Sequence, residues 1–344
     1  MDIGLGWSRP YSGAPTALCA NEGTPPRCHE EFEEWLCENT SAILTRMRSH
    51  GSVLLRGFAG TLGAEAFSIA LAAIGTPMHD YVGGSTPRRR LGSRTYSATE
   101  LSGEYSIALH QEMSYLPVAP EGIGFYCERA ADAGGCSLLA DARDVVRLLP
   151  QPVIESFRDR NIAITRALPS RGSMYLASGV SRPWQDVFET EERSSAFDIA
   201  SRRGWSASWC DDGTMHLRHG VTSAFRRHPE TGSEVWFNQA HYYSPDCMLQ
   251  WAKHDQRKQQ ERYIQRLVDR GDKDHLNRVT YADGGPIPRE ALLSIWTALK
   301  RSERAVEMLP GDILLADNYF VMHGREKFSG ARSMHAGLIA KLHQ

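Results

Sequence analysis

The spacing of apolar and polar positions changes along the chain. Between residues 30 and 49, Phe32, Leu36, Ile43, Leu44 and Met47 fall near helical spacing with charges between them, which predicts an amphipathic helix. SVLLRGF (52–58) is a short apolar run that predicts a buried strand. AEAFSIALAAIG (64–75) predicts a second helix stopped by Gly75. From about residue 93 the segments shorten. SRTYSATE (93–100), YSIALHQE (105–112), GIGFYCERA (122–130) and CSLLAD (136–141) read as strands with turn residues between them. HLRHGVTSAFRRHPETGSEVWFNQ (216–239) predicts further strands, with PETG (229–232) as a turn. QWAKHDQRKQQERYIQRLVDR (250–270) is so charged that it reads as a solvated helix or a surface excursion. Pro288 opens a better helix, REALLSIWTALKRS (289–302), since proline suits the start of a helix. GDILLADN (311–318) and ARSMHAGLIAKL (331–342) read as late strands.

Several strands follow one another through short turns, and helices flank them. That order fits alternating βαβ units badly and predicts an α+β, mainly β architecture, a sandwich or jelly roll braced by helices. Residues 1–29, rich in Gly, Pro, Ser and Thr, read as an irregular arm. The expected division is an N-terminal arm and helix over 1–50, then one domain over 51–344 with a helical insert near 245–303.

Composition narrows the partners. The chain has 344 residues and a formal net charge of −2, so no basic field invites nucleic acid or an anionic membrane. The seven cysteines are odd in number and form no C-x-x-C pair, which argues against a disulfide framework and a zinc ribbon. The opening MDIGLGWSRPYSG has no basic segment leading into an apolar one, and no run is apolar enough to span a bilayer. A cytoplasmic location is expected.

The candidate chemistry starts at His110-Gln111-Glu112. In a strand, residues i and i+2 share a face, so an imidazole and a carboxylate would converge beside the sheet. Such a pair is two-thirds of a 2-His-1-carboxylate triad, which leaves positions of Fe(II) open. His323 fits the third ligand, because it follows the apolar GDILLADN run and precedes Gly324. By itself an H-x-E also suits an exposed strand, and a lone His is also a common structural residue.

Around these residues the chain resembles the taurine dioxygenase/TfdA family of Fe(II)/2-oxoglutarate oxygenases, and within it the SyrP-like branch. The resemblance rests on ordered blocks: TYSATEL (95–101), IALHQEMSY (107–115), FYCERAADAGGCSLLADAR (125–143), RHPETGSEVWFNQAH (227–241), VTYADGGPIPREAL (279–292) and PGDILLADNYFVMHGREKFSGAR (310–332). It implies a double-stranded β-helix, a cupin-like jelly roll, with His110, Glu112 and His323 as iron ligands. Arg332, nine residues past His323, would pair with the C5 carboxylate of 2-oxoglutarate, and Ser137, 27 residues past His110, would bond the same group. Ser137 stands where the family more often has Thr, and Glu112 where many members have Asp. A carboxylate there speaks against the halogenating variants. Arg325 is the rival for the cosubstrate, with a structural role near the turn the alternative.

The resemblance further implies O2 as cosubstrate and hydroxylation of an unactivated C–H, with succinate and CO2 as products. Desaturation or epoxidation would need only another substrate pose. The branch suggests an amino acid or carrier-tethered aminoacyl substrate in natural-product biosynthesis. Asn238, Gln239, His241 and Ser114 are candidates for substrate contact, or for loop hydrogen bonding and packing. Arg88, Arg89 and Arg90 could meet the phosphopantetheine of a carrier protein, or form a solvated loop. A non-catalytic binding relative and a zinc hydrolase are the competing classes; intact ligand positions oppose the first, and the Arg332 and Ser137 spacing opposes the second.

Overall fold

The computed structural model describes residues 26–58, 62–78, 95–98, 101–176 and 182–343, together with the backbone of two short strands, Trp7–Ser8 and Thr16–Cys19. Period-two patterning explains its centre. In the strand Ile313–Asp317, Leu314 and Ala316 join one core while Ile313 and Leu315 join another. Ser52–Arg56 does the same, with Leu54 on one side and Val53 and Leu55 on the other. A strand apolar on both faces must be covered on both. One cover is the helix pair His29–His50 and Gly63–Ile74, whose buried residues include Phe32, Leu36, Phe67 and Leu71. The other is a second sheet.

The larger sheet runs Trp7–Ser8, Thr16–Cys19, Ser52–Arg56, Ile313–Asp317, Gly122–Arg129, Ser333–Leu342 and Gly75–Pro77, with Tyr96–Ser97 also on Ser333–Leu342. The smaller runs Arg304–Val306, Ser137–Asp141, Val321–Arg325 and Ile107–His110, all antiparallel. Residues of both sheets, among them Ile123, Leu314, Leu338, Leu139 and Met322, share one continuous core. This is the jelly roll that the strand order predicts.

Two expectations change. The N-terminal arm is not wholly irregular: Thr16–Cys19 pairs in parallel with Ser52–Arg56 and extends the larger sheet. The charged stretch at 250–270 is two helices, Pro245–His254 and Lys258–Asp269, parted at Gln256, where φ is 58°. The second is not simply solvated, because Ile264 and Leu267 pack with Leu249 and Leu276. Between Asp141 and Arg304 the chain also builds a four-stranded antiparallel sheet, in the order Ser206–Trp209, Met215–Arg218, Ile162–Leu168 and Arg278–Tyr281. Asp141 ends the jelly-roll strand and caps the next helix, Ala142–Leu148, by accepting the Arg143 amide at 2.8 Å.

Candidate active site

The smaller sheet brings His110 and His323 together. They are direct cross-strand partners, with ring centroids 4.3 Å apart. The Ala108 carbonyl lies 2.8 Å from His110 Nδ1. A proton donated there leaves the lone pair of the neutral ring on Nε2. Beyond His323 the register with Ile107–His110 shifts. A Cβ on Gly324 would stand 2.4 Å from the Ile107 carbonyl oxygen, so the bulge depends on a residue without a side chain.

Glu112 arrives differently from the expectation. The strand ends at His110, and Glu112 lies in the turn that follows, where Met113 has φ 53°. Alternation along a strand is therefore not what brings it to His323. Asn318 is: its Oδ1 accepts the Glu112 amide at 2.8 Å, and its Nδ2 donates to the carbonyls of Glu112 and Pro120, both at 2.9 Å. Glu112 Oε2 then stands 3.7 Å from His323 Nε2, and one donor atom from each of the three residues falls within 4.8 Å of the others. Glu112 and His323 are buried and His110 is half-buried, so the group could hold a metal ion at the wall of a cavity.

The turn that carries Asn318 is itself anchored. His228 donates from Nε2 to Asp317 at 2.8 Å, while its Nδ1 accepts the amides of Glu230 and Thr231. The other Asp317 oxygen accepts the Tyr319 and Phe320 amides.

The cavity beside the histidines is lined by Phe125, Leu139, Ser137, Arg325 and Arg332. Its two cations differ. Arg325 donates to the carbonyls of Leu101, Ser102 and Tyr105 at 3.2, 3.0 and 2.6 Å, which makes it a brace for that loop. Burial, and then the charge of Arg332, pull it down to about 10. Arg332 lies one residue before the strand Ser333–Leu342, not within it. Burial lowers its pKa too, and among the described residues no carboxylate pairs with it. Ser137 opens the strand Ser137–Asp141, and among the described residues its hydroxyl has only the Met308 sulfur, a weak acceptor, at 3.3 Å. A half-buried guanidinium without a counter-ion among the described residues, next to a poorly satisfied hydroxyl, is a fitting cradle for a carboxylate.

The other candidates are spread around this site. Asn238 bonds the Ala224 carbonyl and the Ala240 amide, which uses it inside its own loop. Gln239 donates to the Gln111 carbonyl at 2.9 Å and so holds the link between His110 and Glu112. His241 bonds the Leu109 carbonyl at 2.7 Å and lines a neighbouring cavity with Tyr242 and Trp251. Burial pulls its pKa down to about 4. Ser114 is buried, its hydroxyl has no partner among the described residues, and its carbonyl accepts from Arg226 at 3.0 Å. Arg88, Arg89 and Arg90 lie outside the described residues. Sequence reasoning missed Asn318, Gly324 and His228 as supports of the site; Asn318 showed itself only as the last residue of the strand read over 311–318.

A jelly roll with two histidines and a carboxylate beside a cavity that holds an uncompensated arginine defines the class of Fe(II)- and 2-oxoglutarate-dependent oxygenases. Comparison with known proteins agrees. The pattern of the taurine catabolism dioxygenase TauD, TfdA family matches residues 21–338, and the chain belongs to that family. It is 29% identical over 330 residues to the dapdiamide synthesis protein DdaC of Enterobacter agglomerans, covering 95% of this chain and 92% of that one. PvcB from Pseudomonas aeruginosa shares the fold, with a TM-score of 0.54 and 17% identity over 98% of this chain and 92% of that one. So does an asparagine oxygenase crystallised with Fe(II), 3-hydroxyasparagine and succinate, with a TM-score of 0.51 and 11% identity over 90% of this chain and 83% of that one.

Proposed function

We propose that this oxygenase hydroxylates an unactivated C–H of an amino acid, free or tethered to a carrier protein, in natural-product biosynthesis, with His110, Glu112 and His323 as its iron ligands. The observation that carries the reading is Arg332, a half-buried cation without a carboxylate partner among the described residues, in the cavity that the two histidines line.

Each residue has a task. His110 and His323 would each offer a ring nitrogen to the metal, and the Glu112 carboxylate would offset part of its charge. A metal held by only these three side chains would have coordination left for the 2-oxo acid and for O2. When bound, iron would use O2 to generate the oxidant for the C–H bond, with 2-oxoglutarate giving up two electrons as it is decarboxylated to succinate and CO2. Arg332 would hold the distal carboxylate of 2-oxoglutarate, where a planar guanidinium can pair through two N–H groups and Lys cannot, and Ser137 would donate to the same group. Phe125, Leu139 and Met334 keep the cavity apolar and limit water.

The substrate class rests on relatives. DdaC is named for dapdiamide synthesis, PvcB is described as an Fe, alpha-ketoglutarate dependent oxygenase from an isonitrile synthetic pathway, and the third relative was crystallised with a hydroxylated amino acid. Desaturation or epoxidation would use the same site with a different substrate pose. A cytoplasmic setting is supported by the six described cysteines, which are all free thiols. Among the described residues, no helix is long and apolar enough to cross a membrane.

The test is anaerobic. Fe(II) and 2-oxoglutarate together should give folded protein a weak visible charge-transfer band; without it the oxygenase reading fails. Arg332→Ala should leave iron binding intact and weaken 2-oxoglutarate by about 10- to 100-fold, the weight of hydrogen bonds to a charged group. Unchanged affinity would remove Arg332 from the cosubstrate site. Succinate release screened against free amino acids and carrier-loaded aminoacyl groups then separates the two substrate forms.

A further inference from the structure

Away from the oxygenase site, one other group among the described residues converges as metal ligands do: Cys210, His216 and Asp274. They come from two segments. Cys210 begins the tight turn between the antiparallel strands Ser206–Trp209 and Met215–Arg218, and His216 lies on the second strand. Asp274 lies in the loop before Arg278–Tyr281. Cys210 Sγ is 3.6 Å from His216 Nε2, and Asp274 Oδ1 is 3.7 Å from that nitrogen. Tetrahedral zinc, with bonds of about 2.3 Å to sulfur and about 2.0–2.1 Å to nitrogen or oxygen, sets ligand atoms about 3.6 Å (S to N) and about 3.4 Å (N to O) apart. The two separations from His216 Nε2 therefore stand close to two edges of such a tetrahedron, and the Cys210 and Asp274 donor atoms lie within 4.8 Å of each other.

The frame around them is already built. His275 bridges Asp272 and Asp212 at 2.9 Å each, which joins the Asp274 loop to the turn. Tyr175 stacks on His275 with centroids 3.5 Å apart. Asp212 also accepts the amide and hydroxyl of Thr214, and the Cys210 amide bonds the Thr214 carbonyl, so the turn is closed on itself. Asp274 is largely exposed and His216 and Cys210 half-buried, so an ion has access from solvent.

We propose that Cys210, His216 and Asp274 form a second metal site, for a divalent cation of the zinc class, which clips the turn after Ser206–Trp209 to the loop before Arg278–Tyr281. Solvent completes the tetrahedron. Thiolate and carboxylate together neutralise the ion. Burial, and then Asp274, Asp212 and Asp211, hold the Cys210 thiol up in the metal-free protein, while Arg278 opposes them weakly. The same negative field attracts a cation. On binding, the Cys210 S–H bond breaks and its proton leaves to buffer as sulfur bonds the metal. His216 Nε2, which donates to the Asp274 carbonyl oxygen at 3.0 Å in the metal-free protein, gives up that contact; its proton passes through solvent to Nδ1, which frees the Nε2 lone pair for the metal. One proton is released per ion.

The experiment uses the full chain and Co(II) as probe. Wild type should show a near-ultraviolet thiolate-to-cobalt band, and Cys210→Ser should abolish it. His216→Ala and Asp274→Asn should weaken Co(II) and Zn(II) at this site by at least about 10-fold. His110→Ala should leave the band in place, since the oxygenase site has no thiolate. Unmutated protein gives a second readout: Zn(II) should protect Cys210, more than the exposed Cys28 and Cys37, from alkylation followed by peptide mass spectrometry. No thiolate band on folded wild type, an undiminished band in Cys210→Ser, or equal alkylation with and without Zn(II) would each overturn the proposal.

Discussion

Asn318 grips the peptide groups on both sides of Glu112, and that grip aims the carboxylate. A side chain in a turn has no ladder of backbone hydrogen bonds to hold it, so its direction depends on such tertiary contacts. Asn318→Ala removes three hydrogen bonds at a buried site and leaves the Glu112 amide without its acceptor. Iron affinity should fall by about 10- to 100-fold, as when the support of a metal ligand is lost. An anaerobic Fe(II) titration reads this directly; wild-type affinity in the variant would mean that something else sets the turn. The H-x-E pair was legible in the sequence because its two residues stand only two positions apart. Asn318 was not, since 206 residues separate it from Glu112 and nothing local marks the contact.

At the scale of elements, the two histidines meet because two short strands pair, and Gly324 allows them to approach. In Gly324→Ala the new methyl group would meet the Ile107 carbonyl at 2.4 Å and the Leu109 amide nitrogen at 3.2 Å. Both obstacles are backbone, so the strands must part. The variant should lose about 1–3 kcal/mol of stability, the range for overpacking, and bind Fe(II) more weakly than the stability loss alone explains. Chemical denaturation and metal titration separate the two effects; a variant with native iron affinity would show that the close approach is dispensable. The periodicity placed most of the elements that carry the site. It misjudged the charged stretch at 250–270, because a helix whose buried apolar residues are Ile264 and Leu267 buries only a narrow stripe.

Across the whole molecule, buried histidines make stability depend on pH. His241 has its pKa pulled down by burial from 6.5 to about 4, and burial drives His219 well below 6.5 as well. Both stay neutral in the fold and take up protons when the chain unfolds. The unfolded state therefore binds more protons between pH 6.5 and about 4, and stability falls as pH falls through that window. For His241 the loss is on the order of 3 kcal/mol, and below its folded pKa the dependence levels off. Urea denaturation from pH 7 to 4 should show this slope, and His241→Gln should reduce it. An unchanged slope in His241→Gln would assign the acid sensitivity to other groups.

The sequence alone determined the jelly-roll class, the two histidines and carboxylate as candidates, and Arg332 and Ser137 at their offsets. It could do so because alternation and short-range spacing are written locally, and because ordered blocks carry a family resemblance. Only the tertiary structure decided that Glu112 lies in a turn held by Asn318, that Arg325 braces a loop while Arg332 lacks a carboxylate partner among the described residues, and that Cys210 faces His216 and Asp274. Those facts depend on segments far apart in the chain, and on which polar groups are left unsatisfied once the backbone has closed around them.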